Sequence, residues 1–176
     1  FQRAAEKDPN FARAFAGISW TYAQLSILGI ADHDRQKAME AARTAVNLDD
    51  KDSFAHLALG RTLNLNRARQ ESIYELELAI GLNPNSAQAH SHFGIALVHN
   101  DQAKRAITHM ELAMRLSPSD PEKGPFHTRL AGAHLFLAEY EETISWSRKA
   151  IQIYSHWLPH VYLTAGLACL DKNDEA

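Results

Sequence analysis

The sequence predicts an all-α protein built as a solenoid of stacked helix pairs. Two observations carry this prediction: a 34-residue unit occurs twice in succession, and apolar residues recur at helical spacing within each half of the unit. A period between about 20 and 50 residues is typical of solenoids, whose units bury their apolar faces against their neighbours. The positions that recur, first in one copy and then in the next, are His56, Leu59, Gly60, Ala79, Pro84 and His90, Phe93, Gly94, Ala113, Pro118.

The same anchors can be traced along the whole chain, with extra residues only at predicted turns. The first full unit is longer, and its extra residues fall around Leu25–Asp34, between its two helices. A later unit has extra residues near Pro121–Lys123. Solenoids tolerate insertions at turns because they lie in loops on one face. The predicted division is 1–11 as the end of a preceding unit, 12–52 with an extended turn, 53–86, 87–120, 121–156, and a partial unit 157–176.

Each unit is predicted to contain two helices joined by a short polar turn. In the third unit, apolar residues recur at helical spacing over 87–99 and again over 103–116. Asp101, in the turn between them, is expected to cap the second helix by accepting a hydrogen bond from its free N–H groups. Pro118 then ends the unit, because proline cannot donate to a helical ladder.

Small residues are predicted to set the distance between paired helices. Gly60 and Gly94 are expected to let the first helix of each pair approach its partner closely, while Leu76 and Met110 fill the volume between them. A single helix pair cannot bury its apolar stripe alone, so we expect stability to require about three stacked units or more.

This order of anchors resembles the pattern of the tetratricopeptide repeat (TPR) family, and the resemblance covers the whole chain. It implies a right-handed α-α superhelix of antiparallel helix pairs that is not an enzyme and that binds proteins or peptides. In two consecutive units the anchors that carry the resemblance are His56, Leu59-Gly60, Leu63, Ser72, Leu76, Ala79, Pro84 and His90, Phe93-Gly94, Leu97, Ala106, Met110, Ala113, Pro118.

The extended first unit carries a second resemblance. With Trp20-Thr21-Tyr22 followed by a long stretch between helices, it is similar to bacterial TPR arrays that follow class III adenylate cyclase domains or winged-helix regulators. This implies the non-catalytic part of a cytoplasmic signalling or regulatory protein. Phe1 aligns within a second helix, so we expect a fragment of a longer array.

The TPR resemblance also implies where a partner binds. The first helix of each unit lines the concave groove, and arginines there are expected to pair with acidic groups bidentately. A peptide segment or domain of a protein is therefore the expected occupant. The predicted groove residues are Trp20, Arg61, Asn64, His92, His99, Arg129 and Tyr162.

Composition argues against several other classes. The net charge is −3, and the basic residues are scattered among acidic ones, which does not suit a nucleic-acid surface. No apolar run is long enough to span a membrane. Phosphate-loop, zinc-protease and serine-hydrolase motifs are absent from the sequence, so neither catalysis nor a cofactor is expected. Cys169 is the single cysteine, which suits a reducing compartment.

Two alternatives to groove binding remain. Ten histidines invite a metal hypothesis, but His92 and His99 lie two helical turns, or about 10.5 Å, apart along one face. The competing interpretation is that His56, His90 and His127 replace the bulky anchor and pack at a helix start. The second alternative is self-association through the ends of the array, which would dimerise an attached catalytic domain.

Overall fold

The structure, a computed structural model, describes residues 1–29, 34–118 and 123–170. Within these ranges every regular element is an α-helix, which confirms the all-α prediction. The helices in chain order are α1 (Gln2–Lys7), α2 (Ala12–Ile27), α3 (Asp34–Leu48), α4 (Ser53–Leu65), α5 (Arg69–Leu82), α6 (Ala87–Val98), α7 (Ala103–Leu116), α8 (Lys123–Phe136), α9 (Tyr140–Ile153) and α10 (Trp157–Cys169).

The first long insertion is partly helical. Helix α2 continues to Ile27, so Leu25 belongs to the helix rather than to the predicted turn, and α2 has 16 residues against 13 in α4. The rest of that insertion, 30–33, lies outside the described residues. So do residues 121–122 of the later insertion and residues 171–176 of the partial unit.

The chain divides into two compact units, Phe1–His92 and Phe93–Ala176. In the first unit α2 packs against α3, and α4 packs against α5 while also contacting α2 and α3. In the second unit α8 packs against α9, α10 contacts both of them, and α7 contacts α8. These helices therefore bury their apolar faces against their chain neighbours and against the next pair.

Alanines form much of the core of the first unit. Ala16, Ala45, Ala55 and Ala58 make one buried cluster, and Phe15 packs against it. Alanine carries no side-chain entropy cost in a helix and lets two helix backbones approach closely. These alanines therefore occupy positions at which neighbouring helices pack closely.

Glycines lie at close approaches between the helices of two pairs. A Cβ added at Gly60 would lie 2.6 Å from Leu76 Cγ and 3.2 Å from the Leu76 backbone nitrogen. A Cβ at Gly94 would lie 2.7 Å from Met110 Cγ. The predicted steric role of these glycines is confirmed. Ser72 adds a buried polar link, since its hydroxyl donates to the Gly60 carbonyl at 2.8 Å.

The turns between paired helices share one backbone geometry. The structure shows that the prediction of Asp101 as the cap of α7 is wrong. Arg67, Asp101 and Ala138 have φ values of 61°, 59° and 57°, the left-handed region. The N–H of Asp101 donates to the carbonyl of Val98, so this residue closes α6 instead of capping α7. Gln102 holds the N-cap position of α7, and no side-chain hydrogen bond caps that helix.

Two of the recurring histidines are structural. His56 Nε2 lies 2.9 Å from the Asp50 carbonyl oxygen, and its Nδ1 lies 2.6 Å from Glu75 Oε2. His90 repeats the first contact, with Nε2 at 2.9 Å from the Pro84 carbonyl oxygen. Both rings are buried and link the start of a helix to the preceding turn, in agreement with the packing interpretation.

We predict that Gly60→Ala lowers the free energy of unfolding by about 1–3 kcal/mol, because the new methyl group overpacks against Leu76. Gly81 is the matched control: it is exposed in α5, and an added Cβ would meet nothing within 4 Å. Gly81→Ala should therefore raise the free energy by up to about 1 kcal/mol. Urea unfolding followed by circular dichroism measures both, and equal effects would refute the close approach.

We predict that Ala138→Gly stabilises the chain by up to about 1 kcal/mol, since glycine adopts a positive φ without the Cβ clash. Ala165→Gly, in the middle of α10, should cost about 1 kcal/mol because glycine loses more backbone entropy in a helix. Thermal unfolding of the two variants compares them directly. A loss of stability at Ala138 as large as that at Ala165 would contradict the assigned turn.

Candidate functional site

In the first unit, three of the predicted groove residues form one aromatic and cationic cluster. Arg61 on α4 donates from Nη1 to the Trp20 carbonyl oxygen at 3.0 Å and from Nη2 to Gln24 Oε1 at 2.6 Å. Its guanidinium carbon lies 4.1 Å from the centroid of the Trp20 ring. His92 contacts the same ring edge-on, with centroids 5.2 Å apart. We call Trp20, Arg61 and His92 the Trp20 cluster.

Arg61 is held by the protein itself. Only 5% of its surface is exposed, and its hydrogen bonds tie α4 to α2. Asn64 is half-buried and lies three residues later, on nearly the same face of α4. The Trp20 cluster therefore presents a fixed surface in which Arg61 stabilises the packing.

In the second unit, the other three predicted residues surround one recess of about 260 Å³. His99 follows the end of α6, Arg129 lies on α8 and Tyr162 lies on α10. The three residues therefore come from three different parts of the chain. We call this the Arg129 recess. The residues that line it are Ile95, Val98, His99, Met110, Thr128, Arg129, Gly132, Ala133, Phe136, Leu158 and Tyr162.

A close backbone approach shapes one wall of the Arg129 recess. A Cβ at Gly132 would lie 3.1 Å from both Cζ and Oη of Tyr162, so the tyrosine ring lies directly against α8. Burial raises the pKa of Tyr162, because the phenolate would lose its hydration. A tyrosine hydroxyl is protonated near neutral pH in any case, and the shift moves its ionisation further from that range.

Apolar groups make most of the remaining lining. Phe136, at the end of α8, is 64% exposed. The Arg129 guanidinium carbon lies 5.7 Å from the centroid of the buried Phe126 ring. His99 is exposed at the edge. The recess thus combines an apolar floor with basic side chains.

Sequence reasoning did not identify Val98, Met110 and Leu158 as part of this recess. They come from three different helices and are ordinary apolar positions in their own repeats. Several other residues of the first helices are buried: Leu57 is 2% exposed, Ser91 0% and Thr128 5%. Helical spacing alone does not separate the face toward the neighbouring helix from the open face.

A larger recess, about 810 Å³, lies in the first unit at the turns before α2 and α4, away from the predicted residues. Arg13 donates to both carboxylate oxygens of Asp52, at 3.1 and 3.2 Å. The hydrogen bonding and the charge of Asp52 raise the pKa of Arg13. Asp52 also caps α4, because its carboxylate accepts a hydrogen bond from the Phe54 N–H at 3.1 Å. In the sequence, an aspartate directly before an apolar run is typical of such a cap. Asp49 and Lys51 add one charge of each sign to the lining.

The described residues bring no group of three or more His, Cys, Asp or Glu side chains together in a way that would hold a metal ion. Among the described helices, none is long and apolar enough to cross a membrane.

Comparison with solved structures places the helix pairs in a known fold. The chain is 18% identical to MamA (41-end) from Desulfovibrio magneticus RS-1, covering 94% of this chain and 88% of that one, with a TM-score of 0.70. It is 18% identical to TTC0263, a thermophilic TPR protein in Thermus thermophilus, covering 96% and 87%, with a TM-score of 0.73. The chain has the TPR fold.

A third TPR structure is YrrB, described as a TPR protein with an unusual peptide-binding site. It is 19% identical, the match covers 99% of this chain and 85% of that one, and the TM-score is 0.59. No protein-family model matches the sequence, and no curated protein matches it. These likenesses therefore rest on the arrangement of the TPR helices.

We predict that Arg61→Gln lowers the free energy of unfolding by about 2–4 kcal/mol, because it removes hydrogen bonds from a charged donor and the contact with the Trp20 ring. Arg129→Gln, the matched change in the second unit, should cost less than about 1 kcal/mol because Arg129 is only half-buried. Chemical unfolding measures both. Equal losses would mean that Arg61 does not hold α4 to α2.

Proposed function

We propose that this TPR array is a non-enzymatic scaffold that binds a peptide segment or domain of another protein against the first helices of its repeats. The observation that carries the proposal is the convergence of His99, Arg129 and Tyr162 around one recess. These residues are far apart in sequence, and the stacking of three helices brings their side chains to one opening.

The way in which the recess is built supports this function. Its side chains stand on packed helices, so little conformational entropy is lost when a partner binds. The Trp20 cluster is similarly fixed, since Arg61 and His92 hold the Trp20 ring from two sides. The description of YrrB as a TPR protein with a peptide-binding site adds support from a protein of the same fold.

In this proposal the chain consists of repeats at 12–52, 53–86, 87–120 and 121–156, with parts of further repeats on either side. It also includes the attachment of the array to a larger bacterial signalling or regulatory protein in the cytoplasm. The partner segment belongs either to that same protein or to another one.

Photo-crosslinking tests the location of the binding surface. A benzoylphenylalanine is introduced at Asn64 or at His99, and in control proteins at Tyr74 or Glu111, which are exposed on α5 and α7. We expect protein adducts from an extract of the producing cell at the two groove positions and few at the controls. Adducts confined to Tyr74 and Glu111 would contradict groove binding.

Self-association is a second candidate function, favoured by an exposed apolar surface in the second unit. Ile153, Trp157 and Val161 are 56%, 66% and 48% exposed, and the last two lie one turn apart on α10. Neighbouring exposed apolar groups such as Trp157 and Val161 are typical of interaction surfaces. The surface lies outside the Arg129 recess, so the two functions can be separated.

We predict that Trp157→Glu abolishes any concentration-dependent dimer of the chain, because a carboxylate at this position would be buried without a partner. Sedimentation equilibrium over a range of protein concentrations measures the mass. Phe136→Glu, which changes another exposed aromatic residue, is the control and should leave the mass unchanged. A dimer that survives Trp157→Glu would exclude the α10 surface as its interface.

A further inference from the structure

We propose that the Arg129 recess binds an uncharged, mostly apolar small molecule that carries one hydrogen-bond acceptor. A small molecule is a second kind of ligand, beyond the partner segment of the proposed scaffold function. Its regulatory consequence rests on that function, because the small molecule and a partner segment would occupy the same recess. Three properties lead to the proposal: the size of the recess, its apolar lining and the Tyr162 hydroxyl in its wall.

The size of the recess suits a small bicyclic molecule. The Arg129 recess measures about 260 Å³. An apolar cavity of about 150 Å³ holds benzene, so in proportion this recess has space for about ten non-hydrogen atoms. Sites for drug-sized ligands are larger, at about 300–1,000 Å³. A compound with two fused rings therefore fits the recess better than benzene or a drug-sized molecule.

Apolar side chains from different helices make most of the lining. Ile95 and Val98 belong to α6, Met110 to α7 and Leu158 to α10, and Phe136 ends α8. Water beside such groups forms few hydrogen bonds with them, so an apolar ligand that displaces this water gains free energy. A charged ligand would lose hydration against the same surface. The lining therefore selects an uncharged molecule.

Tyr162 places one hydrogen-bond donor in this apolar surface. A Cβ at Gly132 would lie 3.1 Å from Oη of Tyr162, and both residues line the recess, so the hydroxyl lies at its wall. Within residues 1–29, 34–118 and 123–170, no group forms a hydrogen bond with this hydroxyl. Thr128, the other hydroxyl of the lining, already donates to the Gly124 carbonyl at 2.8 Å. Tyr162 is therefore the donor that a ligand can use.

The hydroxyl of Tyr162 determines which acceptor the ligand carries. A phenol donates one hydrogen bond, and a ketone oxygen accepts one without bringing a charge into the recess. In apolar surroundings such a bond is electrostatically stronger than in water. The oxygen would thus orient the ligand while its rings fill the apolar space. A ligand of this kind needs no contact with Arg129 or His99.

Two matched compounds test the proposal. Indanone is a bicyclic ketone, and indane is the same ring system without the oxygen. Each is titrated into the isotope-labelled chain, and amide chemical shifts give the dissociation constants. We expect saturable shifts near Gly132 and Tyr162 with both compounds. Indanone should bind more tightly, with a dissociation constant of about 1 mM.

Tyr162→Phe separates the hydrogen bond from the apolar contact, because it removes the hydroxyl and keeps the ring. We expect this variant to weaken indanone about fivefold and to leave indane within about twofold of the wild type. Tyr74→Phe, which changes an exposed tyrosine of α5, is the matched control and should affect neither compound. Circular dichroism shows whether each variant retains its helices.

Ile95→Trp tests the location, because the larger side chain would fill the recess. It should weaken both compounds at least about tenfold. Ile27→Trp, at the exposed end of α2, is its control and should weaken neither. If Ile95→Trp does not fold, the comparison of the two compounds on Tyr162→Phe decides the proposal by itself.

Competition measures the regulatory consequence. A peptide selected on the immobilised chain from a random library is titrated with and without indanone. With indanone present at its own dissociation constant, the apparent dissociation constant of the peptide should rise about twofold, because both ligands need the same recess. Unchanged peptide binding would exclude regulation by the small molecule.

The outcomes separate this inference from the scaffold function. No saturable binding of either compound, or equal binding of indanone to Tyr162→Phe and to the wild type, would overturn the inference and leave the scaffold function in place. Photo-crosslinked adducts confined to Tyr74 and Glu111 would overturn groove binding and leave the indanone site in place. Weaker binding of indanone but not of indane to Tyr162→Phe is the expected result.

Discussion

In two helix pairs, a glycine of the first helix lies in close contact with a large side chain of the second. At Gly60 the space for a methyl group is already occupied by Leu76, and at Gly94 by Met110. These glycines are 34 residues apart and occupy the same place in two successive repeats, so both pairs have the same kind of close contact. The positions of the side chains on the first helices follow from these contacts, including those that face solvent.

Arg61 and Arg129 each lie on the first helix of a repeat, but their surroundings differ. Arg61 is buried, and its hydrogen bonds to Trp20 and Gln24 are part of the connection between α2 and α4. Arg129 is half-buried at an opening whose floor is apolar. Arg61 therefore stabilises the array, whereas Arg129 lines the recess that we propose as a binding surface.

The repeat pattern was sufficient to predict the fold and much of its packing. Pro84 and Pro118 follow the ends of α5 and α7, and Gly60 and Gly94 lie at close contacts, because backbone chemistry restricts these positions. The prediction for Asp101 was wrong because aspartate favours both helix caps and the left-handed region, and the local sequence does not decide between them. The burial of Arg61 depends on the Trp20 carbonyl of another helix. Residues such as Leu158 and Met110 join the recess only through stacking, so single-helix periodicity could not identify them.

The central claim is that the open face of the first helices, at the Arg129 recess, is the binding surface. Chemical-shift mapping of the isotope-labelled chain with a peptide selected on the immobilised chain from a random library tests it most directly. The account predicts that the perturbed amides cluster on α8 and α10 and around His99, with the largest shifts near Gly132 and Tyr162. Perturbations confined to α7 and α9, with those amides unchanged, would contradict it.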